Sequence, residues 1–211
     1  MNQLNNGYVN STADSGAGEP ARSKSRFSEW ARRMKASDRD AFTALFQSMS
    51  AKLVRYAKTI TRDEASAYDI LQDVFLKLWE MRERLNPDSS LQSLLYTMTR
   101  NAAINMNRKN NVLVYSGVEG EEKFEMVETT LSKPASMDAR LDAQQLAKQL
   151  YQWIDELPER RKEAFVLSRH HDLSHKEISN IMGLSERTVN THIFLALKHL
   201  RARLDALQNA E

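Results

Sequence analysis

Apolar residues recur every three or four positions through most of this chain, starting at Phe27. In "DRDAFTALFQSMSAKLVRYAKTI", Phe42, Leu45, Phe46, Met49, Leu53 and Tyr56 fall on one side of a helix and predict a buried stripe. In "EASAYDILQDVFLKLWEMRERL" the stripe is Ala67, Ile70, Leu71, Val74, Leu78 and Met81. "NPDSSL" then breaks the pattern. Pro87 suits a loop or first turn, and Ser89 or Ser90 is placed to cap the next helix, "LQSLLYTMTRNAAINMNRKN".

Two stretches lack the periodicity. Residues 1–26 are rich in Asn, Ser, Gly and Ala and read as a disordered tail. Residues 111–137 hold two Gly, one Pro and five Glu against two Lys, which reads as an acidic flexible linker. So long a structureless loop inside one compact domain would be unusual. The expected architecture is therefore all-α. A helical domain over 27–110 is followed by the linker and by a second helical domain over 138–211.

In that second domain, "DARLDAQQLAKQLYQWIDELP" and "ERRKEAFVLSRHHD" precede "SHKEISNIM". Ser174 followed by Glu177 makes a capping box. Gly183 ends that helix and Ser185 caps the next. A short helix, a glycine turn and a longer helix form a helix-turn-helix pattern, with Ile178, Ile181, Leu184, Val189 and Ile193 as its small core. At 100° per residue, Val189, Ile193, Ala196, Leu197 and Leu200 fall on one side of the last helix. Arg187, Thr191 and Lys198 fall on the other, with Asn190 at the margin and Phe194 and Leu195 on or near the exposed side. Arg can read guanine, Asn adenine, and Thr or Lys can meet phosphates or thymine methyls, so the polar side suits a major groove.

Composition narrows the chemistry. Without cysteine there is no disulfide, thiol nucleophile or Cys-based zinc site. A net charge of +2 leaves the argument for a nucleic-acid partner to the distribution of charge. No apolar run approaches the ~20 residues of a membrane span, and no signal-peptide core stands at the start. A cytoplasmic protein without membrane insertion is expected. His170, His171, Asp172 and His175 are ligand types for zinc, but a helix break at Leu173-Ser174 separates the last histidine. No phosphate loop or supported Ser/His/Asp set is found.

Two faces of the first half carry chemistry. "RNAAINMNRK" holds Arg100, Asn101, Asn105, Asn107, Arg108 and Lys109 and no acid, with Tyr96 one turn upstream to stack. Amides and cations on one helix suit exposed base edges and phosphates, although a basic helix end also suits its own dipole. On the preceding helix, Asp69, Gln72, Asp73, Leu76, Trp79 and Glu80 lie opposite the buried stripe. An exposed Leu and Trp among acids suit a protein-docking surface, unless Trp79 tucks sideways into the core.

"DRDAFTALF", "AYDILQDVFLKLWE", "SLLYTMTRNAAINMNRK" and "ELPERRKEAFVLSRHHDLSHKEISNIMGLSERTVNTHIFLALKHLR" together resemble the extracytoplasmic-function sigma factors of bacterial RNA polymerase. The resemblance implies neither an enzyme nor a cofactor, but a non-catalytic subunit that directs core polymerase to specific promoters and aids melting. It implies that the Asp69–Glu80 face docks on core polymerase. It assigns Tyr96, Arg100, Asn101, Asn105, Arg108 and Lys109 to −10 promoter DNA, with Asn101 at a base-reading position. Arg187, Asn190, Thr191 and Lys198 are assigned to the −35 element. An anti-sigma factor is a further implied partner. Two rival readings are a stand-alone helix-turn-helix regulator and a metal-dependent enzyme using the histidines.

Overall fold

The computed structural model describes residues 19–114 and 137–209, so most of the expected tail and linker lies outside the described residues. Every regular element among them is helical. The N-terminal half comprises α1 (Glu19–Lys35), α2 (Arg39–Thr61), α3 (Glu64–Glu80) and α4 (Leu91–Val114), with one short 3-10 turn at Arg82–Arg84. The C-terminal half comprises α5 (Met137–Asp155), α6 (Glu159–Arg169), α7 (His175–Met182) and α8 (Glu186–Gln208).

The ends of these helices follow local chemistry. Asp38 accepts from the amides of Asp40 and Ala41 to start α2, and Asp63 accepts from that of Ser66 to start α3. Of the two serines expected to cap α4, Ser90 does so, its Oγ 3.1 Å from the Ser93 amide. The capping box at Ser174 and Glu177 is complete, and Ser185 accepts from the Thr188 amide. Gly183 takes φ +65° between α7 and α8, a left-handed turn that costs glycine little. Two ends run past the expected boundaries. α1 begins at Glu19 rather than Phe27, and a proline in a first turn costs no hydrogen bond. α4 continues to Val114, four residues into the expected linker.

The stripes become the core with some changes. Leu45, Met49, Leu53 and Tyr56 of α2 are wholly buried, as are Ala67 and Leu78 of α3, with Ile70 and Val74 nearly so. Phe46 and Met81 were expected inside, but Phe46 is 39% exposed and Met81 half-buried. Phe75 was not part of the expected stripe and is buried, meeting Phe42 and Phe46 edge-on at centroid separations of 5.7 and 4.9 Å. α3 packs against both α2 and α4, so it buries an arc wider than a single stripe. In the helix-turn-helix, Ile178, Ile181, Val189 and Ile193 are buried and Leu184 half-buried, as the spacing predicts. Leu197 is 38% exposed and Leu195 half-buried, the reverse of expectation.

The halves touch. Leu167, Leu173, Ile178, Ile181, Met182, Val189 and Ile193 continue the same buried cluster as the core of α1–α4. α6 is two-sided. Ala164 and Leu167 face that cluster, while Phe165 and Val166 join Ile154, Leu157, Ala196 and Leu200 in a second core that seats α5 on α8.

Candidate nucleic-acid interface

The opening turn of α8 presents Arg187, Asn190 and Thr191 to solvent, and Lys198 lies exposed two turns on. Each is on the flank that packing against Val189, Ile193 and Ala196 leaves free. Thr191 Oγ1 donates to the Arg187 carbonyl at 3.0 Å, which fixes its rotamer along the helix. His192, half-buried beside this flank, is held below its ordinary value by burial and by the charges of Arg161 and Arg160. Those two arginines, one exposed and one half-buried, therefore add to the positive field at the start of α8. They belong to α6, outside the helix-turn-helix unit, so the pattern of α8 gives no sign of them. Phe194 is 62% exposed on the same helix.

The basic end of α4 is split. Asn101, Asn105, Arg108 and Lys109 are exposed. Asn107 turns inward and donates to the Ile60 carbonyl at 2.7 Å, so it ties α4 to α2. Arg100 is engaged by the other half of the molecule. Its Nε lies 2.8 Å from Glu163 Oε1 and its Nη2 3.3 Å from Oε2. Tyr56 Oη donates to the same Glu163 oxygen at 2.8 Å. Burial alone would lower Arg100, but the hydrogen bond and charge of Glu163 outweigh it and raise it. Burial, together with Glu163, pushes Tyr56 well above the usual phenol range, so it stays a donor. Tyr96 is wholly buried, with ring centroids 5.3 Å from Tyr56 and 5.1 Å from His171. In this arrangement its ring is not open to a base.

On α3, Asp69, Gln72, Asp73 and Glu80 are exposed and Leu76 is 59% exposed, as the wheel requires. Trp79 takes the sideways alternative. It is half-buried, edge-on to Phe42 at 5.1 Å, with the Arg82 guanidinium 4.8 Å from its ring centroid. Tyr68, 50% exposed, and Phe46 extend the apolar surface. The helical spacing places Phe46 on the buried stripe and gives Tyr68 no role.

The histidines do not form a metal centre: among the described residues no group of three potential ligands converges. His171 is buried against Tyr56 and Tyr96, while His175 is exposed at the start of α7.

The chain matches the model of sigma-70 region 2 over residues 45–112 and that of sigma-70 region 4 over residues 147–200. It is 26% identical over 171 residues to RNA polymerase sigma factor YlaC of Bacillus subtilis, covering 81% of this chain and 92% of that one. It is 27% identical over 168 residues to the ECF RNA polymerase sigma factor SigL of Mycobacterium tuberculosis, covering 78% and 89%. Its fold is similar to that of the sigma factor RpoE solved with the anti-sigma factor NepR from Bartonella quintana, with a TM-score of 0.61, 18% identity and coverage of 78% and 96%. It is also similar to that of CnrH solved with the cytosolic domain of CnrY, with a TM-score of 0.59, 21% identity and coverage of 86% and 98%. The matches to sigma-70 regions 2 and 4, the second over the helix-turn-helix, make the chain a DNA-binding transcription factor. The chain belongs to the extracytoplasmic-function branch of the sigma-70 family of RNA polymerase sigma factors. As such it directs core polymerase to promoters for initiation. No helix among the described residues is long and apolar enough to cross a membrane.

Proposed function

We propose that three faces of this sigma factor divide the work of promoter recognition. The face of α3 built from Asp69, Gln72, Asp73, Leu76 and Glu80, with the exposed edge of Trp79, docks on core polymerase. The end of α4 holds the melted −10 strand. Asn101 reads a base edge, Asn105 assists, and Arg108 and Lys109 hold phosphates. Arg100 and Tyr96 join this surface once the C-terminal half moves away. The start of α8 enters the −35 major groove, with Arg187, Asn190 and Thr191 at base edges and Lys198 on phosphate. The chain performs no chemistry of its own and needs no cofactor. It works in the cytoplasm, where the polymerase is. An anti-sigma factor restrains it, a reading supported by the similar sigma factor RpoE, which was solved with an anti-sigma factor.

The observation that carries this reading is the pairing, in one chain, of an acid-free basic end of α4 with an exposed polar flank at the start of α8. Transcription in vitro tests it. The full chain and core polymerase, given a promoter library, should initiate from templates sharing two short elements, and neither component should select them alone. Selection of duplex sites by the chain without polymerase would favour a stand-alone regulator instead.

A further inference from the structure

We propose that Glu163 is a latch that holds the two halves closed over part of the −10 DNA surface. This rests on the assignment of α4 above. Two of the residues assigned to DNA on α4 are covered by groups from the other half: Arg100 by Glu163, and Tyr96 by His171. The Arg100–Glu163 pair is largely shielded, with side chains 17% and 13% exposed. Glu163 also accepts from Tyr56, so one carboxylate gathers three hydrogen bonds from two helices of the opposite half.

Two further polar contacts between the halves are weaker. Arg62 and Glu159 pair with both side chains 68% exposed, where water screens the attraction. Ser90 and Glu177 meet at 3.4 Å on the surface. A cleft of ≈ 180 Å³ beside the latch is lined by Thr59, Ile60, Arg100, Ile104, Glu159 and Glu163, among others. Parting starts at an edge that solvent already reaches, and its remaining cost is exposure of the apolar cluster the halves share. Parting frees the Arg100 guanidinium, whose fork suits a phosphate as well as a carboxylate, so a DNA strand is a direct competitor of Glu163. Loss of one partner from a shielded ion pair leaves the other charge uncompensated, which favours the open form.

The test uses the full chain, which has no native cysteine, with dyes on cysteines replacing the exposed Arg84 and Arg201. Energy transfer reads closure without DNA or polymerase. Glu163→Ala, Glu163→Arg and Arg100→Glu should each lower transfer, raising the open-to-closed ratio by at least about tenfold. The double variant Glu163→Arg with Arg100→Glu should restore it. Circular dichroism identifies any variant that has unfolded, and recovery in the double variant excludes simple misfolding. Unchanged transfer in all three single variants would overturn the latch, whatever α4 binds. A second measurement reads masking, using fluorescein-labelled single-stranded DNA of random sequence. Glu163→Ala should bind it more tightly than Asp205→Ala, which removes an equal charge elsewhere. Opening without that gain would overturn the masking and count against the assignment of α4 to DNA, while leaving the Glu163 contact as the group that holds the halves closed.

Discussion

Replacing His171 with Phe should make this protein less sensitive to acid. His171 is 3% exposed, wedged between Tyr56 and Tyr96 at centroid separations of 6.0 and 5.1 Å. Burial, then the charges of His170, Arg55 and Lys52, pushes its imidazole down from 6.5 to about 3. Between those values the unfolded chain binds a proton that the folded chain does not. Stability therefore rises with pH across that window: little is lost above about 6.5, and the loss grows as pH falls toward 3. The slope is about 1.4 kcal/mol per pH unit, which comes to about 2 kcal/mol at pH 5. Phe keeps the ring and cannot take up a proton. His171 Nδ1 also has no hydrogen-bond partner, so at pH 7 the substitution should change stability by less than about 1 kcal/mol. Urea unfolding of both proteins at pH 7, 6 and 5 measures the effect. The carboxylates titrate alike in the two proteins and cancel in the difference. The variant should gain about 2 kcal/mol relative to wild type between pH 7 and pH 5. Parallel pH profiles would refute the reasoning, because they would mean that the imidazole titrates normally inside the fold.

Gly183→Ala should cost about 1 kcal/mol in urea unfolding, all of it from the left-handed backbone, because no atom lies within 4 Å of the added Cβ. A cost near zero would mean the turn relaxes to another conformation. Asp73→Arg with Leu76→Glu should weaken binding to core polymerase by more than about tenfold, as loss of a docking anchor does. Both residues are exposed, so the melting temperature should hold; an unchanged affinity in titration would remove α3 as the docking face.

Local chemistry was legible in the sequence. The capping box at Ser174, the turn at Gly183 and the core of the helix-turn-helix are set by residues a few positions apart, and the structure forms each one. Contacts between distant segments were not. Glu163 stands 63 positions from Arg100 and 107 from Tyr56, and nothing near it in the chain marks it as different from a surface glutamate. By spacing alone Tyr96 is a free stacking ring, because a wheel cannot show that a second domain lies over it. The exchanged burial of Leu195 and Leu197 and the exposed Phe46 have a related cause. A single-stripe wheel assumes one packing partner, whereas α8 packs against α5, α6 and α7, and α2 against α1, α3, α4 and α6.

The claim that α8 reads sequence is tested most directly by base preference at the −35 element. Binding curves for polymerase loaded with the wild-type chain, Arg187→Ala or Lys198→Ala would be taken on a set of −35 variants at several salt concentrations. Arg187 stands exposed in the opening turn of α8, where groove-reading helices place base contacts. Its removal should flatten the preference at particular positions, by about 1–3 kcal/mol where a bidentate contact is lost. Removal of Lys198 should weaken every sequence about equally and reduce the salt slope by about one. A uniform loss of affinity with Arg187→Ala, leaving every base preference intact, would contradict the account: α8 would grip the backbone and read nothing.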